Sequence, residues 1–318
     1  MQPLKFKPIF MERIWGGDVL KKKYGFNLPD GKKIGELWCI SDNKTAISEV
    51  EGGTFDGIKL NELAKKHSDE LYGEGKSYGR FPLLIKIIDA NDKLSVQVHP
   101  DDDYAYYHEN GDIGKTEMWY IIDAKPGAKL VCGLKEGTTK EQFKSLLEKE
   151  NLEDCLNEIE IKQGDVVYIP SGMVHAIGEG ILICEIQQNS DLTYRVYDYN
   201  RVDDNGNKRE LHIDKALDVI DFNLKSDKIV PEYKKIAGGS IANVVQSKYF
   251  KTDVIRVEST VNVETDGTFN TLVVVEGEGK LFYEDSAVNL KSGESLLIPA
   301  SIDKYTVTGN CKLIRSYV

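Results

Sequence analysis

The sequence predicts a mainly β fold of sandwich or barrel type, on three observations. Apolar runs of strand length recur between Gly, Asp and Asn; helical periodicity is confined to three stretches; and one β segment occurs twice. Phe81–Ile88, Leu94–Val98, Met118–Ile122, Asp165–Pro170, Ile181–Gln187 and Leu272–Val275 fit strand lengths. Many short strands spaced in this way build sandwiches and barrels. The first helical stretch carries Leu60, Leu63, Ala64, His67 and Leu71 at three- and four-residue steps. The second carries Phe143, Leu146 and Leu147 behind the capping candidates Thr138 and Thr139, and the third carries Ala216, Leu217 and Ile220 behind Asp214. These helices read as insertions around a β body.

The repeated segment is Ile161–Ile177, IKQGDVVYIPSGMVHAI, against Leu290–Thr306, LKSGESLLIPASIDKYT. In each copy a Gly permits a tight turn into a strand, and the Pro after Ile ends ladder pairing. Five residues beyond that Pro stands His175 in the first copy and Lys304 in the second, so only the first retains a metal-capable side chain. A chain of 318 residues suggests about two domains by the usual length prior. The charged stretch around Pro231 places the join near 228: a metal-binding unit with helical insertions over 1–228, and a smaller unit of related design, without metal ligands, over 229–318.

Composition narrows the function. Lys and Arg number 41 against 52 Asp and Glu, a formal charge of −11, which argues against nucleic acid and acidic membranes as partners while leaving room for a local anion pocket. The five cysteines are odd in number, widely spaced and lack a CxxC pair, which reads as reduced thiols. MQPLKFKPIF is too broken by Lys and Pro for a signal peptide, and no apolar run approaches the ~18 residues of a membrane helix. A cytoplasmic location is expected. No GxxxxGK[ST] cradle is present, which argues against a kinase.

Metal-capable chemistry concentrates in three segments. In LSVQVHPDDDYA, Gln97 and His99 are two residues apart, so on a strand they share a face. GKTEMWYII brings Glu117 eighteen residues after His99, at the start of another strand, and His175 follows the Gly-Asp…Ile-Pro strand. Two imidazoles and a carboxylate make a three-ligand site with open positions, suited to Zn²⁺ and equally to Fe²⁺. His67, His108 and His212 lie in a charged helix, a polar loop and a pre-helical segment, and read as structural or solvated. The Asp101–Asp103 run reads as a solvated turn or helix cap, and the Tyr194, Tyr197 and Tyr199 series as packing.

VQVHPDD, GKTEMWYI, YIPSGMVHAIG and SDLTYRVYDYNR, with IWGG (Ile14–Gly17) and GELW (Gly35–Trp38), together resemble the type I mannose-6-phosphate isomerases, in their short bacterial branch. The likeness covers nearly the whole chain. It implies a cupin (jelly-roll) fold, one Zn²⁺ held by Gln97, His99, Glu117 and His175, and interconversion of mannose 6-phosphate and fructose 6-phosphate. Arg195 matches the family's catalytic Arg, although here it leads into VYDYNR where longer members have a Gly-Gly-Leu run. A permanently charged guanidinium suits enediolate or phosphate stabilisation. Asp191 is a candidate to orient it or accept a proton. Lys115, two residues before Glu117, matches the motif Lys and is a candidate acid or base, its pKa open to lowering by a nearby dication. Lys86, Trp15 and Glu36 are further pocket candidates for substrate contact. Competing readings are a cupin Fe²⁺ oxygenase and a noncatalytic sugar-phosphate-binding module.

Overall fold

The computed structural model describes residues 1–202 and 206–318. It is mainly β, with stacked sheets in a cupin sandwich and no closed barrel. A six-stranded sheet runs in the order Val166–Ile169, Glu117–Ala124, Ile181–Gln188, Leu83–Ala90, Ile34–Ile40, Ile9–Gly17. A five-stranded sheet runs Leu156–Glu160, Lys129–Leu134, His175–Ile177, Val96–Val98, Tyr194–Tyr197. A nine-stranded sheet gathers the strands from Lys234 onward and takes in Leu4–Lys5, which pairs antiparallel with Ser295–Ile298.

The unbroken apolar runs follow from this stacking. On Leu83–Ala90, Ile88 and Ala90 point into the space between the six- and five-stranded sheets, with Trp119, Ile121, Ile181 and Ile183. The alternate residues Leu83, Ile85 and Ile87 pack against Val254, Val273, Val275 and Ile314 of the nine-stranded sheet. A strand covered on both faces has no polar side to show, so its hydrophobicity does not alternate. On the far side of the five-stranded sheet, Val96, Val98 and Val196 are covered by Phe143, Ala216 and Leu217 from the helices Lys140–Glu148 and Ile213–Val219.

The repeat is matched in three dimensions. Gly164 and Gly293 both have φ of 90°, each opening the turn into a four-residue strand, Val166–Ile169 or Ser295–Ile298. His175 and Lys304 are each the first residue of the following strand, but His175 is buried while Lys304 is exposed. In place of a site, the C-terminal interior is filled by apolar side chains such as Val274, Leu296, Val307 and Leu313.

Three expectations are corrected. Helix is not confined to three stretches: Val19–Tyr24, Asp102–His108 and the 3-10 turn Leu152–Cys155 are also helical. Elements of four to seven residues complete too few turns to show a 3.6-residue period. The 60–71 stretch is two helices, Leu60–Lys66 and Ser68–Tyr72, parted at His67. Leu272–Val275 is only the apolar core of a longer strand, Asn270–Tyr283, whose charged, glycine-bearing half pairs with Ser286–Lys291 as a hairpin. Elsewhere Asp101 caps its helix by accepting from the Tyr104 N–H at 2.8 Å, and Thr139, rather than Thr138, forms a capping box with Gln142. All five cysteines are buried and unpaired. Among the described residues no helix is long and apolar enough to cross a membrane.

Candidate metal centre and its cavity

Register assembles the site from two facing rows. Across the six-stranded sheet, Trp38, Lys86, Glu185 and Trp119 are successive cross-strand partners; across the five-stranded sheet, Cys132, His175, Gln97 and Arg195 are. A slip of one residue would turn these groups to the opposite face.

His99, Glu117 and His175 are buried, and one ligand-capable atom from each lies within 4.8 Å of the others. Both His99 Nε2 to Glu117 Oε2 and His175 Nε2 to Glu117 Oε1 measure 3.5 Å. The His175 Nδ1–H donates to the Met173 carbonyl at 2.8 Å, which leaves Nε2 as the acceptor facing the site, where the Gln97 Nε2–H donates to it at 3.2 Å. Both ring nitrogens of His99 and both Glu117 oxygens are buried without a hydrogen-bond partner. Buried polar atoms are otherwise almost always satisfied, so these atoms, with the Lys115 ammonium against only one Glu117 oxygen, fit a bound cation. Protonation agrees. Burial, reinforced by Lys115, pushes His99 down to about 3, and burial also lowers His175, so both imidazoles are neutral. Burial alone would raise Glu117, but Lys115 and His99 outweigh it and hold the carboxyl well below its usual range. Two neutral imidazoles and a carboxylate are a donor set that divalent ions such as Zn²⁺ and Fe²⁺ accept.

A cavity of about 470 Å³ adjoins these groups through Gln97 and Lys115 and is lined by Trp15, Glu36, Lys86, Gln97, Lys115, Asp191 and Arg195. Seven of the ten sequence-derived residues line this cavity, and the other three, His99, Glu117 and His175, are buried next to it, His175 against Gln97 and Glu117 against Lys115. Lys115 Nζ lies 3.0 Å from Glu117 Oε2. Lys86 is buried with its Nζ 3.2 Å from Glu185, 3.9 Å from Asp191 and 5.2 Å from the centroid of the Trp38 ring. Burial opposes its charge, but Glu185, Glu36 and Asp191 together raise its pKa. Glu36 accepts from Arg13 Nε at 2.8 Å and Trp38 Nε1 at 2.6 Å; these contacts and Lys86 overcome burial and lower its pKa. Asp191 faces Lys86, whereas Arg195 donates to Ser95 Oγ at 3.3 Å and to the Glu210 carbonyl at 2.8 Å. IWGG and GELW lie back to back: a Cβ on Gly35 would stand 2.5 Å from the Trp15 ring, and one on Gly16 would stand 2.5 Å from the Gly35 nitrogen.

Sequence reasoning missed Glu185, together with Arg13, Ser95, Thr193 and Arg209 on the cavity wall. Glu185 accepts from Trp119 Nε1 at 3.0 Å, and burial and Glu117 raise its pKa against the pull of Lys86. The signal for it was a lone acid in the apolar strand ILICEIQQ.

Two family models match the chain: "Phosphomannose isomerase type I, catalytic domain" over residues 4–144 and "Mannose-6-phosphate isomerase, cupin domain" over 240–318. The protein named "Probable mannose-6-phosphate isomerase GmuF" from Bacillus subtilis is 42% identical over 99% of each chain. The chain belongs to the mannose-6-phosphate isomerase family. Another member, the mannose-6-phosphate isomerase ManA of B. subtilis, is 38% identical over 100% of this chain and 99% of its own. The crystal structure of the mannose 6-phosphate isomerase from B. subtilis superposes with a TM-score of 0.94 at 39% identity, each chain covered completely. The fold reaches further: a Salmonella typhimurium phosphomannose isomerase, 16% identical, still gives a TM-score of 0.82 over 100% of this chain and 99% of its own.

Proposed function

We propose that this protein interconverts D-mannose 6-phosphate and D-fructose 6-phosphate, moving a proton between C1 and C2 through an enediolate, with one Zn²⁺ per chain held by Gln97, His99, Glu117 and His175. The observation that carries this reading is the cluster of buried atoms on His99 and Glu117 without hydrogen-bond partners, gathered with His175 next to a cavity lined by Lys86, Lys115 and Arg195. When bound, Zn²⁺ supplies electrophilic stabilisation of the developing enediolate oxygens, worth several kcal/mol in general terms. The chain's own groups do the rest. Arg195 stands ready for the phosphate or the enediolate, its guanidinium aimed by Ser95 and the Glu210 carbonyl. Lys115 and Glu185 both reach the cavity and can hold or hand on a proton, at Nζ and at the carboxylate. Lys86, fixed by Glu185 and Asp191, offers a permanent positive charge to a substrate oxygen. Trp15 and Glu36 form the wall on which the sugar rests.

The same reading places the protein in the cytoplasm with a small sugar phosphate as partner, and neither nucleic acid nor a membrane. It keeps a division near residue 228: the strand Lys234–Ile236 pairs only within the nine-stranded sheet, while Ile229 still bridges Val166 and Leu4–Lys5 crosses into the nine-stranded sheet. A coupled assay for fructose 6-phosphate, run before and after chelation and again with added Zn²⁺, tests the function. Activity should disappear with the chelator and return with zinc. Oxygen uptake without conversion, or tight sugar binding without product, would overturn it.

A further inference from the structure

The segment Gly114–Glu117 delivers Lys115 to the cavity and Glu117 to the metal-capable cluster, and its backbone is held from outside the cavity. The Lys115 N–H donates to the Pro100 carbonyl at 3.0 Å. The Gly114 N–H donates to Asp102 Oδ1 at 3.0 Å, and the Thr116 N–H to Gln188 Oε1 at 2.9 Å. Gln188 Nε2 in turn donates to the same Asp102 oxygen at 2.9 Å. A Cβ on Gly114 would lie 2.4 Å from the Asp101 carbonyl carbon, so the two backbones are in contact. The other oxygen of Asp102 accepts the Tyr249 hydroxyl at 2.7 Å. Tyr249 comes from the far end of the chain. It sits in the turn between Gly239–Gln246 and Lys251–Val257 of the nine-stranded sheet, a turn tied by Ser247 Oγ, which accepts from the N–H groups of Tyr249 and Phe250 at 3.2 and 3.1 Å.

We propose that Tyr249 is a positioning residue for the active site: through Asp102 and Gln188 it fixes the backbone that presents Lys115 and Glu117, which makes the metal-free C-terminal unit a working part of the centre. Asp102 is the hub because one carboxylate fastens three groups, from the ligand loop, from the Ile181–Gln188 strand and from the C-terminal unit. Without the phenol, Oδ2 keeps only the Lys248 ammonium at 3.9 Å, and the carboxylate is held less firmly. The loss then passes to the Gly114 and Gln188 bonds, and a buried constellation held even slightly too loosely works poorly.

The inference depends on the isomerase reading for its kinetic readout but on the site geometry alone for its metal readout. The test compares Tyr249→Phe, Asp102→Asn and the pair of substitutions with the wild type, each loaded with Zn²⁺. Tyr106→Phe, on an exposed ring of the same helix as Asp102, serves as a control. Zinc release to a chelator should be about tenfold faster in Tyr249→Phe, with kcat down about fivefold and KM within about twofold, smaller than the roughly 10- to 150-fold of a hydrogen bond to a charged group because the loss is relayed through Asp102 and Gln188. The Co²⁺-substituted protein should show a shifted visible absorption band. Because both residues act on one path, the double variant should be no worse than Asp102→Asn alone. Wild-type zinc release and kcat in Tyr249→Phe, additive losses in the double variant, or a loss of kcat matched by the loss of folded protein would each overturn the proposal. If the wild type converts no mannose 6-phosphate, the function above fails, while zinc release and the cobalt spectrum still decide the role of Tyr249.

Discussion

Lys86 and Glu185 face one another, both buried, on adjacent strands whose flanking residues along the chain are apolar. A buried pair of this kind is weak evidence for stability, since desolvation offsets much of the attraction, and it is better explained by chemistry. Glu185→Gln removes the proton-carrying oxygen while keeping the side-chain shape; kcat should fall by about 10² to 10⁴, the range for loss of a general acid–base group, with zinc content unchanged by metal analysis. Arg195→Ala should keep its metal and lose about a hundredfold or more in kcat/KM, as expected for a lost electrostatic contact in the transition state. His99→Ala and His175→Ala should be purified without zinc. Lys86 and Glu185 present the same signature, a charge in an otherwise apolar strand. Only the first was legible, because Glu185 has no partner at a telling distance along the chain and its neighbours Trp119 and Lys86 are brought in by register.

At the level of elements, the two copies of the Gly-acid-strand-Ile-Pro unit make a matched pair for mutagenesis. Gly164 and Gly293 share a φ of 90°, where an L side chain is strained. A Cβ on Gly164 meets nothing within 4 Å, whereas one on Gly293 would lie 2.7 Å from the Tyr24 ring. Gly164→Ala should therefore cost about 1–3 kcal/mol from backbone strain alone, and Gly293→Ala measurably more, read from chemical denaturation midpoints. Strand existence was legible wherever an apolar run was bounded by turn residues. Strand ends were not: Asn270–Tyr283 continues through EGEG because its partner Lys304–Tyr317 continues beside it, a fact about pairing rather than composition.

Over the whole molecule, burial of neutral imidazoles makes the stability of the metal-free protein depend on pH. His99 ordinarily titrates near 6.5 and is pushed down to about 3 in the fold, so between those values the unfolded chain binds the extra proton. Its contribution is complete above about 6.5 and is lost as pH falls toward 3. Thermal melts of the metal-free protein should show Tm falling on acidification through that window, and His99→Gln should flatten the slope by about one proton. By itself the sequence determined the β class, the repeat, the metal-capable set and the family, because each is written in local spacing or in motifs. Tertiary structure alone decided which charges meet: that Lys86 pairs with Glu185, that Arg195 is aimed by Ser95 and Glu210, and that Tyr249 reaches Asp102. Those contacts join residues far apart in the chain. They depend on strand register and on how one sheet stacks against the next, and no local pattern of residues encodes either.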